Sequence, residues 1–297
     1  MSRTLKAHVL LILVTLVWGA TFVVIKNALR DATPLLFNAI GMALAALTLA
    51  AIYGRELTRV TGAALRAGAL VGTCLWIGYE FQTEGLLRTT PSKSAFITGL
   101  SVVLVPVFLA LFWRRRLRAW TWLGVALAFA GLYLLSVPAS AASGFAGGNF
   151  ASVNLGDVLT LGCAIGFALQ IIYIGRATKQ HPFGQIAALQ AIVCALLMAV
   201  TVPLAEHPHI AWTPRVLWAL GITALFCTAA AFTIQAWAQQ FTSPTYTALI
   251  FALEPVFAWI TSLLVLGERL GYRSGGGAAL ILGGIVLAEL KGGQKDD

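Results

Sequence analysis

The stretch GVALAFAGLYLLS, residues 124–136, returns as GAALILGGIVLAE at residues 277–289, with five of thirteen positions identical. A second echo pairs LVPVF at 104–108 with LEPVF at 253–257. It aligns only with gaps of about one turn, because Pro91 and Pro106 are fifteen residues apart whereas Pro244 and Pro255 are eleven. Between the two copies lies PASAASGFAGGNFASVN, residues 138–154, small, polar and rich in Gly and Ser, the composition of a linker. The chain therefore divides into a first repeat, residues 1–137, the linker, and a second repeat, residues 155–297.

What each repeat contains follows from its hydrophobicity. Of 297 residues 59% are hydrophobic and 10% charged, and the mean hydropathy is +0.86, far above that of a soluble domain. Continuous apolar runs of roughly 17 to 25 residues cross the hydrocarbon layer as helices. Ten are expected, at 7–29, 33–53, 66–88, 91–112, 119–137, 155–176, 183–204, 214–238, 243–266 and 272–290. A membrane β-barrel would alternate polar and apolar residues, which LLILVTLVWGATFVVI does not. The first run is too long for a signal peptide and lacks a small-x-small cleavage site, so it is read as a retained span. Five helices per copy is an odd number, so the second copy enters the membrane from the opposite side. The expected fold is an all-α integral membrane protein of ten transmembrane helices in two inverted five-helix repeats, an arrangement suited to alternating access around a central site.

Charge gives the expected orientation. With both termini cytoplasmic, thirteen of the twenty Lys and Arg residues fall in inner segments and seven in outer ones. The net charge of +9 thus orients helices and does not imply a nucleic-acid partner. Cys74, Cys163, Cys194 and Cys227 lie inside helices without a CxxC pair and read as packing residues.

At this depth of detail WGATFVVIK (18–26), TTPSKSAFITGLSVVLVPVF (89–108) and EPVFAWITSLLVLGERLGYRSGGGAALILGGIVLAE (254–289) resemble the drug/metabolite transporter superfamily, EamA family. The likeness covers nearly the whole chain. It implies ten helices in two inverted repeats and export of small metabolites, amino acids among them. Tyr79-Glu80 is similar to the same place in YddG-type exporters of aromatic and neutral amino acids. Where those carry bulky aromatics near the fourth-helix proline, this chain has Val103 and Leu104.

Candidate binding residues are the polar and aromatic groups at membrane depth. A carboxylate at mid-membrane costs about 2.5 to 3.5 kcal/mol, so each should face the interior or a wet cavity. In the third expected helix Glu80 lies roughly 5 Å beyond the middle and Glu84 roughly 10 Å. Both are placed on one stripe with Trp76, Tyr79, Thr83 and Arg88. Arg88 is four residues from Glu84 and is expected to pair with it. Glu80, deeper, is read as a proton carrier or ammonium-binding group. Glu254 precedes Pro255, which frees the carbonyl of Phe251 as Pro106 frees that of Val102, and the two prolines are read as hinges. Trp18, Phe167, Gln170, Gln235 and Trp237 complete an expected aromatic and amide-lined cavity for a solute with an amine, through stacking and cation-π contact.

Rival classes fit less well. No paired aspartates lie at depth for acid proteolysis, and the four histidines are near the ends of spans. No GxxxxGK[ST] phosphate loop occurs. No catalytic residue, metal site or cofactor is expected. The expectation is a secondary transporter in the cell inner membrane, exporting amino acids including aromatic and neutral ones. The alternative is a multidrug exporter of aromatic or quaternary cations, and an embedded enzyme or a channel ranks lower. Small-molecule substrate and membrane lipids are the expected partners, with monomer and homodimer both open.

Overall fold

In the computed structural model, residues 2–89, 91–136, 153–266 and 272–292 are described; most of the expected linker lies outside them. The described chain is helical throughout, without a strand. The helices are α1 (Arg3–Ala28), α2 (Pro34–Ile52), the one-turn α3 (Gly54–Leu57), α4 (Gly62–Leu86), α5 (Pro91–Thr98), α6 (Ser101–Phe112) and α7 (Ala119–Ser136). Next come α8 (Leu155–Gln180), α9 (Phe183–Ala205), α10 (Pro214–Ile222), a π-helical segment (Thr223–Ala230), α11 (Ala231–Ala238), α12 (Pro244–Phe251), α13 (Glu254–Leu266) and α14 (Tyr272–Leu287), which ends in a π turn (Ala288–Gly292).

Eight spans among the described residues are long and apolar enough to cross a bilayer. α4 has the length, but its polar residues exclude it, and α12 and α13 are each too short alone.

The starts are written in the sequence. Ser2, Thr61, Thr213 and Ser243 each accept a hydrogen bond from the backbone N–H three residues on, and Pro34, Pro214 and Pro244 supply a preset first turn. Asn154 and Asp157 form a reciprocal capping box on α8, which Thr89 joins by donating to Asp157 at 2.7 Å.

Helices of the two halves start at a nearly constant separation. α1, α4, α5, α6 and α7 begin at 3, 62, 91, 101 and 119; α8, α10, α12, α13 and α14 begin at 155, 214, 244, 254 and 272, that is 152, 152, 153, 153 and 153 residues later. Only α2 and α9, at 34 and 183, depart, by 149. In this register Ser101 corresponds to Glu254, and 124–136 to 277–289, with no gap. By helix position the two prolines differ: Pro106 is the sixth residue of α6, while Pro255 is the second of α13. The interruptions themselves fall at Gly99–Leu100 and Ala252–Leu253, eight residues after Pro91 and Pro244. Pro255 disfavours helix at the residue before it and suits the first turn of a new one, which accounts for the second break.

Packing follows the small residues. α7 and α14 pair in opposite directions: a Cβ on Gly131 would lie 2.4 Å from the Gly277 carbonyl oxygen, and one on Gly124 would lie 2.6 Å from that of Gly284. The reverse contacts, Gly277 on Gly131 and Gly284 on Gly124, measure 2.7 and 2.5 Å. Only glycine allows backbones this close. α4 packs between α8 and α9, and α1 lies against α13.

The chain's two ends meet. His8 on α1 bonds Thr242 (2.8 Å), lies 3.5 Å from the Glu289 carboxylate and stacks on Tyr246, whose hydroxyl donates to Ala288 O at 2.5 Å. This end of the bundle is called terminal below, and the opposite one, where Asp31 meets Arg215 and Thr213, distal.

Candidate substrate chamber

The candidate site, referred to as the chamber, is the region where α1, α4, α8 and α11 come near the break between α12 and α13. Trp18 is part-buried, its ring 4.9 Å from Phe251 and 6.1 Å from Phe232. Its indole N–H donates to the Cys227 carbonyl at 2.7 Å. That carbonyl lies in the π-helical segment, and such irregularities are frequent at functional sites. Thr21, one turn on, lies 3.2 Å from the Cys227 sulfur. Tyr79 on α4 meets Phe167 on α8 edge to face at 5.8 Å. Trp18, Tyr79 and Phe167 all pack against one buried group that includes Leu75, Cys194, Met198 and Phe232.

Toward the terminal end the wall becomes amide. Gln170 and Gln235 exchange hydrogen bonds of 3.3 and 3.1 Å, and Gln170 also donates to Gln190 at 3.1 Å. All three are at most 2% exposed, and the side-chain nitrogen of Gln190 has no partner among the described residues. Gln239 and Gln240 close the bundle beyond them, donating to the carbonyls of Ile171 and Thr178.

Glu254 opens α13 directly after the break. Its side chain is part-buried, with no hydrogen bond or ion pair among the described residues, and it acts electrostatically on the Tyr79 hydroxyl and the thiols of Cys163 and Cys227. α1 passes so close that a Cβ on Gly19 would sit 2.9 Å from the Glu254 carbonyl oxygen.

The structure thus gathers Trp18, Tyr79, Phe167, Gln170, Gln235 and Glu254, and it separates two others. Glu80, adjacent to Tyr79, is turned by about 100° around α4. It is 5% exposed and accepts from Thr201 at 2.8 Å, in a cleft between α4, α8 and α9. The single stripe expected for this segment therefore splits: Trp76, Glu80, Glu84 and Arg88 line the cleft, whereas Thr83 accepts from Asn38 of α2 at 3.0 Å. Trp237, two residues past Gln235 and so on the far side of α11, packs at a tilt against Phe241, ring centroids 5.0 Å apart, with the Lys6 amine 5.5 Å above its ring, at the terminal end.

Glu84 and Arg88 pair as expected. Pro106 is buried within α6. Phe22 and Lys26, expected beside Trp18, have no described side chains. Gln190, Phe232 and Phe251 were not among the expected residues; Gln190, a glutamine at the eighth position of a mostly apolar span, was the available signal. Among the described residues no three His, Cys, Asp or Glu side chains are grouped to hold a metal.

Comparison with known proteins agrees with this architecture. The model of the EamA-like transporter family matches residues 5–137 and 154–290. An uncharacterized transporter of Archaeoglobus fulgidus is 33% identical over 291 residues, covering 97% of this chain and 87% of the relative. The uncharacterized inner membrane transporter YedA of Escherichia coli is 25% identical over 286 residues, 93% of this chain and 88% of YedA. A solved crystal structure superposes with a TM-score of 0.78 at 18% identity, over 98% of this chain and 99% of that one, a likeness of fold. With a helical bundle rich in membrane-length spans and a family match over both halves, the chain belongs to the EamA-like transporter family and is a multi-pass membrane transporter of small molecules, not an enzyme.

Proposed function

We propose that this transporter is a secondary carrier of ten spans in two inverted five-helix repeats, with both termini cytoplasmic, which exports amine-bearing metabolites across the inner membrane. Neutral and aromatic amino acids are the substrates best matched. The carrying observation is the lone carboxylate of Glu254, part-buried within electrostatic reach of the Tyr79 hydroxyl and without a cationic or hydrogen-bonding partner among the described residues. A buried carboxylate without a partner is costly, and an ammonium group supplies one. Trp18, Tyr79 and Phe167 then offer ring faces to an apolar or aromatic side chain. The unpaired amide nitrogen of Gln190, fixed by Gln170 and Gln235, offers a donor to the substrate carboxylate.

The repeat reading is supported by the constant separation of helix starts and by the reciprocal glycines. Gly124 corresponds to Gly277 and Gly131 to Gly284, yet Gly124 touches Gly284 and Gly131 touches Gly277, as equivalent elements do across a two-fold axis. Breaks at Gly99–Leu100 and Ala252–Leu253, flanked by Pro106 and Pro255, give each half a discontinuous helix beside the site, where alternating access needs its bends.

Counterflow of labelled phenylalanine into proteoliposomes preloaded with unlabelled phenylalanine tests this. Transient accumulation, competed by other amino acids and abolished in a folded Glu254→Gln variant, is the expected result. No accumulation by folded wild type rejects phenylalanine. Wild-type flux in Glu254→Gln rejects the role of Glu254. The same lone carboxylate favours a second reading, export of aromatic or quaternary cations, which predicts that a cation lacking a carboxylate competes and that Gln190→Leu does not impair its flux.

A further inference from the structure

The cleft that holds Glu80 is separate from the chamber and opens sideways near the distal end. It has a volume of about 250 Å³, equivalent to roughly eight waters at ~30 Å³ each, and lies between the end of α4, the start of α8 and the end of α9. Its rim is apolar and turned outward: Leu155 is 63% exposed and Leu204, beside Ala205, is 81% exposed. In a chain that crosses the membrane several times, such a rim at helix ends faces acyl chains just below the head groups.

The polar groups inside are few and of opposite sign. Glu80 sits at the base, and one of its carboxylate oxygens accepts from Thr201. Trp76 flanks it, its indole N–H 3.4 Å from the Thr201 hydroxyl. At the mouth Arg88 spends one guanidinium nitrogen on Glu84, through both the side chain and the backbone carbonyl, and its remaining two nitrogens have no partner among the described residues. A buried anion below an aromatic wall, a guanidinium at the mouth and an apolar rim match a ligand with an ammonium at its tip, a phosphate next to it and acyl chains behind.

We propose that this cleft binds the head group of phosphatidylethanolamine, its ammonium donating to Glu80 and its phosphate meeting Arg88. Three N–H donors on the lipid amine distinguish it from a choline head group, which has none, and from glycerol, which has no charge. An ammonium on Glu80 also provides the partner that a carboxylate at this depth requires. The inference rests on the membrane character of the chain and not on any assignment of its transported substrate.

The test uses the purified full chain, stripped of lipid in detergent, with lipid retention read by native mass spectrometry as single lipids are titrated. Phosphatidylethanolamine is expected to be retained at least tenfold more strongly than phosphatidylcholine or phosphatidylglycerol of the same chains. Glu80→Gln is expected to erase that preference, and so is Leu159→Trp, which fills the cleft without touching a charge. Equal retention of the three lipids by wild type overturns the proposal, as does an undiminished preference in both folded variants. Competition by water-soluble glycerophosphoethanolamine as effective as by the lipid also overturns it and makes the cleft a site for soluble amines.

Discussion

Replacing Gly131 with Ala should weaken the contact between α7 and α14 measurably. The added Cβ would lie 2.4 Å from the Gly277 carbonyl oxygen and 2.9 Å from the Ile281 backbone nitrogen, against about 3.4 Å for an ordinary contact. The shortfall, 3.4 less 2.4, is about 1 Å, and because the obstacle is backbone no side chain can rotate away. The helices must part, and overpacking of this kind costs about 1–3 kcal/mol. At about 2–4 °C per kcal/mol the midpoint of thermal unfolding should fall by on the order of 2–12 °C. Gly283→Ala is the matched control on the facing helix, since a Cβ there meets nothing within 4 Å, and helix propensity should make it neutral or slightly stabilising. The double variant Gly131→Ala/Gly277→Ala should cost less than the sum of the singles, because both new groups wedge the same approach. Differential scanning fluorimetry in one detergent reads all of these. If Gly131→Ala unfolds together with Gly283→Ala, the close approach of α7 and α14 is not as described.

Gln170→Leu leaves the Gln235 amide without its reciprocal partner and should lower stability by about 1–3 kcal/mol, whereas Gln190→Leu takes one acceptor from Gln170, which still donates to Gln235, and should cost about 0.5–1.5 kcal/mol in the same melt while reducing amino-acid flux. Arg88→Ala breaks an exposed pair one turn apart and should change stability by less than about 1 kcal/mol. Asn154→Ala removes the cap of α8 and should cost about 1 kcal/mol, read as a shift in the same midpoint. All four cysteines are free and buried, so a maleimide should label none of them at an appreciable rate until the protein is unfolded; rapid native labelling of Cys194 or Cys227 would place water where packing is described.

The membrane-spanning helices were largely legible because most announce themselves twice, by an apolar run and by a Ser, Thr, Asn or Pro at the start, as α1, α2, α8 and α10 do. The even spacing of helix starts between the two parts of the chain was less legible. Alignment by matching letters tied Pro106 to Pro255, whereas the fold aligns Ser101 with Glu254, since helix position is held by packing and not by the identity of a proline. Among the expected site residues, the mid-span aromatics Trp18, Tyr79 and Phe167 do converge, because a bulky ring at the centre of several helices has few other places to go. Glu80 and Trp237 do not join them. A helical stripe four residues long is about as wide as the 100° between Tyr79 and Glu80, so spacing alone could not say which neighbour each would meet. Gln190 was not legible because its partner Gln170 lies on the neighbouring helix, and no spacing within one helix shows which residues of two helices meet.

The correspondence of Ser101 with Glu254 bears on descent. If the two halves arose from one gene, an ancestor built from two identical chains would have carried the same residue at both positions, so a carboxylate could only come as a pair facing each other across the axis. Fusion into one chain lifts that restriction. It would let one half carry a carboxylate, Glu254, where the other carries a hydroxyl, Ser101, so that a solute held by that carboxylate meets a single fixed polarity.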